Sequence, residues 1–129
     1  RALSGADREA VLAAGQDLPG AAAPLAPKIA SIARGDYMAK SEREIRGSGY
    51  VVASLEAALF CFAKTTSYRD ATLRAANLGE DADTTAAICG QLAGAFYGEP
   101  AIPAAWREKL AMRDLIEETA DALHAARPA

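Results

Sequence analysis

The segment Tyr50–Lys64 constrains the fold more than any other, because it is apolar on almost every side. It reads YVVASLEAALFCFAK, and only Ser54 and Glu56 interrupt the apolar run before the final lysine. A helix without a polar face is stable only when other helices surround it. The segment therefore predicts a helix at the centre of a bundle.

The rest of the sequence also favours helices. Hydrophobic residues make up 51% of the chain and aromatic residues only 6%, with alanine the commonest residue. Alanine has the highest helix propensity, and no stretch alternates as a half-buried strand does. We predict an all-α fold. The net charge of −3 argues against a nucleic-acid partner, and no apolar run reaches the roughly 18 residues of a membrane span.

Local signals place the helix ends. Ser4 and Asp7 have the spacing of a capping box and predict a short helix through Ala14. Ser41 and Glu44 repeat that spacing before another short segment. Residues 15–27 contain three prolines and two glycines, so this connection is expected to hold at most a turn.

Three later helices are predicted over 67–78, 84–97 and 113–125. In the second, four small residues recur at every fourth position and form a ridge: Ala86, Gly90, Gly94 and Gly98. A glycine inside a helix costs about 1 kcal/mol relative to alanine, so the ridge predicts a closely packed neighbour. The last helix carries an apolar stripe that we expect to be buried: Leu115, Ile116, Ala120 and Leu123.

The two cysteines, Cys61 and Cys89, lie in apolar helical stretches at no motif spacing. With a single histidine, His124, they do not match a structural zinc site. We expect buried, reduced thiols, as is typical of a cytoplasmic protein.

The acidic loop before the ridge helix is the strongest candidate for chemistry. Asp81 and Asp83 are separated by one residue, and the hydroxyl of Thr84 adds a third oxygen. Hard oxygen donors suit Mg²⁺, Mn²⁺ or Ca²⁺. An EF-hand counted from Asp81 is excluded, since Ala86 would replace its glycine and Leu92 its glutamate. The alternative is that Asp83 only caps the helix, with Asp81 as a solvated neighbour.

A wider comparison favours the metal site. The stretch from Gly49 to about Leu110, and above all the pattern N-x-G-x-D-A-D-T at 77–84, resembles the carboxy-terminal half of the ADP-ribosylglycohydrolase family. The resemblance implies a compact orthogonal helical bundle, of which residues 1–129 form the carboxy-terminal portion of a single domain. It implies that Asp81, Asp83 and Thr84 bind a pair of divalent cations, Mg²⁺ or Mn²⁺. Many family members have glycine where Glu80 stands.

The resemblance also places Tyr50 at the ADP-ribose pocket, beside a loop formed by Gly47, Ser48 and Gly49. Backbone N–H groups of such a loop can approach phosphate oxygens. Without the resemblance, Tyr50 would be the first residue of a buried helix with its hydroxyl on a polar partner. Glu56, on the same helix, is expected to pair with an arginine such as Arg46 or Arg74, or to lie near the pocket.

The implied activity is hydrolysis of the glycosidic bond between ADP-ribose and an acceptor, either a protein side chain or a small molecule. The catalytic acid or base is not found in this chain and is expected in the amino-terminal half of family members. We therefore expect the chain alone to be inactive and to need its own amino-terminal half or a complementary chain. The alternative is a non-catalytic module that binds ADP-ribose or a nucleotide, or a purely structural helical domain.

Overall fold

The computed structural model describes residues 1–16 and 24–126, and in these residues the fold contains seven α-helices and no strand. The predicted all-α class is confirmed. The helices are α1 (Arg8–Leu12), α2 (Pro27–Arg34), α3 (Val51–Ala63), α4 (Tyr68–Asn77), α5 (Ala82–Tyr97), α6 (Ala104–Arg107) and α7 (Arg113–Ala125). Short 3₁₀ segments lie at Ala2–Ser4, Ala13–Gly15, Asp36–Ala39, Glu42–Glu44 and Glu99–Ala101. Most of the predicted connection over 15–27 lies outside the described residues.

Helix α3 lies at the centre, as its sequence predicts, and packs against α4, α5 and α2. The side chains that fill the core from this helix are almost completely buried: Ala57, Ala58, Phe60, Cys61 and Phe62. At its carboxyl end the Phe62 ring meets Phe96 edge-on, with 5.3 Å between ring centroids. The central helix thus fixes the positions of the loops at both of its ends.

The small-residue ridge of α5 packs against α4, so the predicted close neighbour is confirmed. Tyr68, at the start of α4, lies over the ridge. A Cβ atom at Gly90 would be 3.3 Å from the Tyr68 hydroxyl, and one at Gly94 would be 3.8 Å from its ring. Gly98 lies just past the helix, where its φ of 81° ends the α5 hydrogen-bond pattern.

The amino-terminal cap differs from the prediction. Asp7, not Ser4, caps α1, and its carboxylate accepts a hydrogen bond from the Ala10 N–H group at 2.8 Å. Ser4 belongs to the preceding 3₁₀ segment, whose turn at Gly5 has a φ of 74°. The predicted helix starts later because that left-handed turn redirects the chain between the two polar residues. The Ser41 capping box is confirmed.

Helix α7 has the predicted bounds, but its apolar stripe is not buried. Leu115 is 52% exposed, Ile116 47% and Leu123 70%, and no residue of the helix is buried against the described chain. The prediction of burial was wrong because periodicity shows which face is apolar and not whether another element lies opposite that face. None of the helices in the described residues has the length and hydropathy that crossing a membrane requires.

Candidate functional site

The acidic motif follows a sharp bend between α4 and α5. Gly79 has a φ of 78° and Glu80 a φ of 53°, so two consecutive residues adopt the left-handed conformation. Helix α5 then begins at Ala82, with Asp81 in the N-cap position. The bend places the motif at the amino-terminal end of the ridge helix, where backbone N–H groups lack helical partners.

The three predicted metal ligands lie together at this end. Asp81 is half-buried, and Asp83 and Thr84 are exposed in the first turn of α5. The hypothesis that Asp83 caps the helix is wrong, because the helix begins one residue before it. Asp81 occupies the cap position, yet its side chain makes no capping hydrogen bond. The N–H groups at the start of α5 therefore do not occupy the Asp81 carboxylate.

The carboxyl groups of the two aspartates interact directly. A hydrogen bond with the Asp81 carboxyl, together with the backbone N–H groups of Thr84 and Asp83, lowers the pKa of the Asp83 carboxyl below its ordinary value. Asp83 therefore stays ionised at neutral pH. The two neighbouring carboxyl groups offer oxygen atoms of the kind that Mg²⁺ and Mn²⁺ prefer.

The glycine loop before α3 lies against this motif. The carbonyl oxygen of Gly47 accepts a hydrogen bond from the Asp81 N–H group at 2.7 Å. A Cβ atom at Gly49 would be 3.2 Å from Oδ2 of Asp81. The structure thus places Gly47 and Gly49 beside the acidic motif, and Ser48 lies between these two glycines.

Tyr50 continues from this loop as the N-cap residue of α3. Tyr50 thus stands at the start of the buried central helix, as its sequence alone suggested, but the residue is 52% exposed. The ammonium group of Lys28 lies 5.0 Å from the centre of its ring. Tyr50 and Lys28 line a cavity of about 280 Å³ together with Ser31, Lys40 and Glu56, among others.

The presence of Lys28 and Lys40 in this cavity was not anticipated from sequence. Lys28 belongs to α2, and no local pattern links it to Tyr50. Glu56 pairs with Lys40 at 2.5 Å, whereas the arginines expected as its partners pair with other acids, Arg46 with Glu80 and Arg74 with Glu42. Glu56 also lines the cavity beside Tyr50, and a place at the ADP-ribose pocket stays a prediction.

The donors present fit part of a divalent-cation site. Asp81, Asp83 and Thr84 supply carboxylate and hydroxyl oxygens, which Mg²⁺ and Mn²⁺ prefer. Across residues 1–16 and 24–126, no group of three or more Asp, Glu, His or Cys side chains is arranged to hold a metal. The motif thus offers two carboxylates and one hydroxyl as ligands.

The left-handed conformation of Glu80 leads to a prediction. Glycine adopts this conformation without steric cost, whereas other residues lose roughly 1 kcal/mol. We expect Glu80→Gly to leave the protein about 1 kcal/mol more stable than Glu80→Ala. Both variants lose the exposed ion pair with Arg46, which is worth little. Urea unfolding of the two variants measures the difference, and equal midpoints would contradict the prediction.

Comparisons with known proteins identify the family of the chain. The sequence model of the family described as ADP-ribosylglycohydrolase matches residues 1–129. ADP-ribosylarginine hydrolase Tri1 of Pseudomonas putida (strain GB-1) is 46% identical over 122 residues, which are 95% of this chain and 31% of the relative. ADP-ribosyl-[dinitrogen reductase] glycohydrolase of Rhodospirillum rubrum is 38% identical over 68 residues, 53% of this chain and 23% of the relative.

A solved structure described as an ADP-ribosylglycohydrolase-related protein complex superposes with a TM-score of 0.78. The two sequences are 40% identical, and the aligned region covers 91% of this chain and 39% of the chain in the solved structure. This chain spans about a third of the length of the Pseudomonas putida relative. Because the family's sequence model and a solved fold both match nearly the whole chain, the chain belongs to the ADP-ribosylglycohydrolase family.

Proposed function

We propose that the protein containing this chain hydrolyses the glycosidic bond between ADP-ribose and an acceptor, and that this chain supplies part of a binuclear Mg²⁺ or Mn²⁺ site. One observation carries the proposal. The loop expected to bind ADP-ribose lies against the motif expected to bind metal: the Asp81 N–H group donates to the Gly47 carbonyl oxygen at 2.7 Å, and a Cβ atom at Gly49 would be 3.2 Å from Oδ2 of Asp81. A substrate held by the loop would lie beside cations held by the motif.

Each group has a defined task in this proposal. Asp81, Asp83 and Thr84 would hold the divalent cations, which when bound orient a water molecule and stabilise developing charge. The N–H groups of Ser48 and Gly49 would bind phosphate oxygens of the substrate. The exposed ring of Tyr50 would pack against the substrate, with the Lys28 ammonium group adding positive charge for its phosphates.

The reaction itself is a hydrolysis at the anomeric carbon. The oxygen of water bonds to that carbon, the bond to the acceptor breaks, and a proton goes to the departing acceptor atom. The group that moves this proton is expected in the amino-terminal half that family members possess, supplied by the same polypeptide or by a complementary chain. The resemblance to an ADP-ribosylarginine hydrolase favours the guanidino nitrogen of arginine as the acceptor. The two buried free thiols support a reducing compartment such as the cytoplasm.

Calorimetry and a hydrolysis assay test the proposal. We expect Mn²⁺ to bind this chain, and Asp81→Asn or Asp83→Asn to weaken binding by more than about a hundredfold, because removing a ligand costs more than removing a group that only supports one. Asp70→Asn is the matched control, since Asp70 is an exposed carboxylate in the first turn of α4. Joined to the amino-terminal part that relatives possess, the chain should release ADP-ribose from an ADP-ribosylated arginine protein.

Two outcomes would overturn the proposal. One is the absence of heat and of thermal stabilisation on adding Mn²⁺, which would favour a structural domain. The other is binding of ADP-ribose that is unaffected by Mn²⁺ and by both aspartate substitutions, which would favour a non-catalytic binding module.

A further inference from the structure

The backbone of Gly47 connects the two parts of the candidate site. Asp81 is the N-cap residue of α5, and N–H groups at a helix start have no partner within the helix. The Asp81 N–H group instead donates to the carbonyl oxygen of Gly47 at 2.7 Å. This bond fixes the peptide that carries the Asp81 side chain against the loop before α3.

Gly47 is buried, and a side chain there would be crowded. A Cβ atom there would lie 3.1 Å from the carbonyl oxygen of Gly79, 3.2 Å from Oγ1 of Thr85 and 3.4 Å from Cβ of Leu78. The carbonyl oxygen of Gly79 and Cβ of Leu78 are fixed by the backbone, so these two atoms move only if the backbone moves. Gly47 therefore fits inside the bend between α4 and α5.

The same bend sets the direction of the acidic motif. Gly79 and Glu80 are its two left-handed residues, and Asp81 follows them directly. A side chain at Gly47 would push on the Gly79 carbonyl and shift the peptides up to Asp81. The spacing between Gly49 and the Asp81 carboxylate would change with them.

We propose that Gly47 is a positioning residue of this site, which holds the Asp81 carboxylate in its ligating orientation without itself touching metal or substrate. The inference rests on the proposed function for the metal. It assigns to Gly47 a task different from phosphate binding, because its carbonyl points to Asp81 and its α-carbon faces the inside of the bend.

Nuclear magnetic resonance of the ¹⁵N-labelled chain tests the role of Gly47. In Gly47→Ala we expect the Asp81 amide to exchange with solvent at least about tenfold faster, because its hydrogen bond is displaced. We expect the apparent Mn²⁺ affinity, read from line broadening at residues 81–84, to fall about ten- to a hundredfold, as for other groups that orient metal ligands. Gly94→Ala is the control variant, since its added methyl meets Tyr68 at an ordinary 3.8 Å.

The outcomes separate the inference from the proposed function. Normal Mn²⁺ affinity in a folded Gly47→Ala would overturn the role of Gly47 and leave the metal proposal standing. The absence of broadening in the unsubstituted chain would overturn the metal proposal and the inference together.

A second measurement needs no variant and applies even if Gly47→Ala does not fold. Because metal binding and the Asp81 hydrogen bond would stabilise each other, saturating Mg²⁺ should slow exchange of the Asp81 amide in the unsubstituted chain. The Asp70 amide, which donates to Ser67 at the start of α4, serves as the control. Equal effects on both amides would contradict the coupling.

Discussion

Replacing Arg8 by methionine is expected to lower the free energy of unfolding by about 3 kcal/mol. The substitution removes charged hydrogen bonds and several cation–π contacts. The Arg8 guanidinium donates to the carbonyl oxygen of Phe62 at 2.5 Å and to the hydroxyl of Tyr97. Its central carbon lies 4.6 Å from the Phe62 ring centre and 5.5 Å from that of Phe96. Phe62 and Tyr97 lie at the carboxyl ends of α3 and α5, where a positive charge also favours the helix dipoles.

Two further variants identify the cause. Arg8→Lys keeps the charge but not the planar pair of donors, so it should recover only part of the loss. Arg69→Met is the matched control, because the Arg69 side chain is 61% exposed and pairs with its exposed neighbour Asp70; this variant should change stability by less than about 0.5 kcal/mol. Urea unfolding measures all three. If Arg8→Met and Arg69→Met unfold at the same urea concentration, Arg8 does not anchor the helix ends.

Raising the pH from 8 to 10 is expected to lower the free energy of unfolding by about 2 to 3 kcal/mol, because of the two buried thiols. Each thiol contributes about 1.4 kcal/mol for each pH unit by which the pH exceeds its pKa in the unfolded chain. Burial, together with a smaller effect of the neighbouring Cys89, raises the pKa of Cys61 from 9.0 to about 12. Burial raises the pKa of Cys89 to about 11. The unfolded chain releases both protons near pH 9, whereas the folded chain keeps them until pH 11 or higher. Stability is therefore complete below pH 9 and falls as the pH rises above it.

A double variant isolates this effect. Cys61→Ala with Cys89→Ala creates small cavities and should be less stable at pH 7, but its stability should depend much less on pH between 8 and 10. Tyr37, whose pKa burial also raises, is present in both proteins and acts mainly above pH 10. Urea unfolding across the pH range gives the two slopes, and parallel slopes would rule out the thiols as the cause.

The helices were predictable because their signals are local. The apolar run of α3 and the small-residue ridge of α5 specify helices that other helices must cover, and the structure places both in the core. The sequence also indicates where helix α4 ends, because glycine at position 79 favours the left-handed conformation observed there. The acidic motif was found because its three oxygen-bearing residues are neighbours in sequence.

Contacts between distant segments were not predictable in this way. Nothing local in the sequence pairs Lys28 with Tyr50, Lys40 with Glu56 or Arg8 with Phe62, because each pair belongs to elements brought together only by packing. The exposure of the α7 stripe is a similar case, since an apolar face does not specify its partner. The position of an N-cap also depends on the backbone conformation of a single turn. Asp7 therefore occupies the N-cap position where Ser4 was expected, and Asp81 occupies it where Asp83 was considered.

The sequence by itself determined the all-α class, the central helix, the ridge and the acidic motif, because each depends on residues within a few turns of one another. Only the tertiary structure decided that Gly47 and Gly49 lie against Asp81. The physical reason is that the bend and the glycine loop are held by a backbone hydrogen bond and by close packing. Both join segments that are distant in the sequence, so no local pattern specifies them.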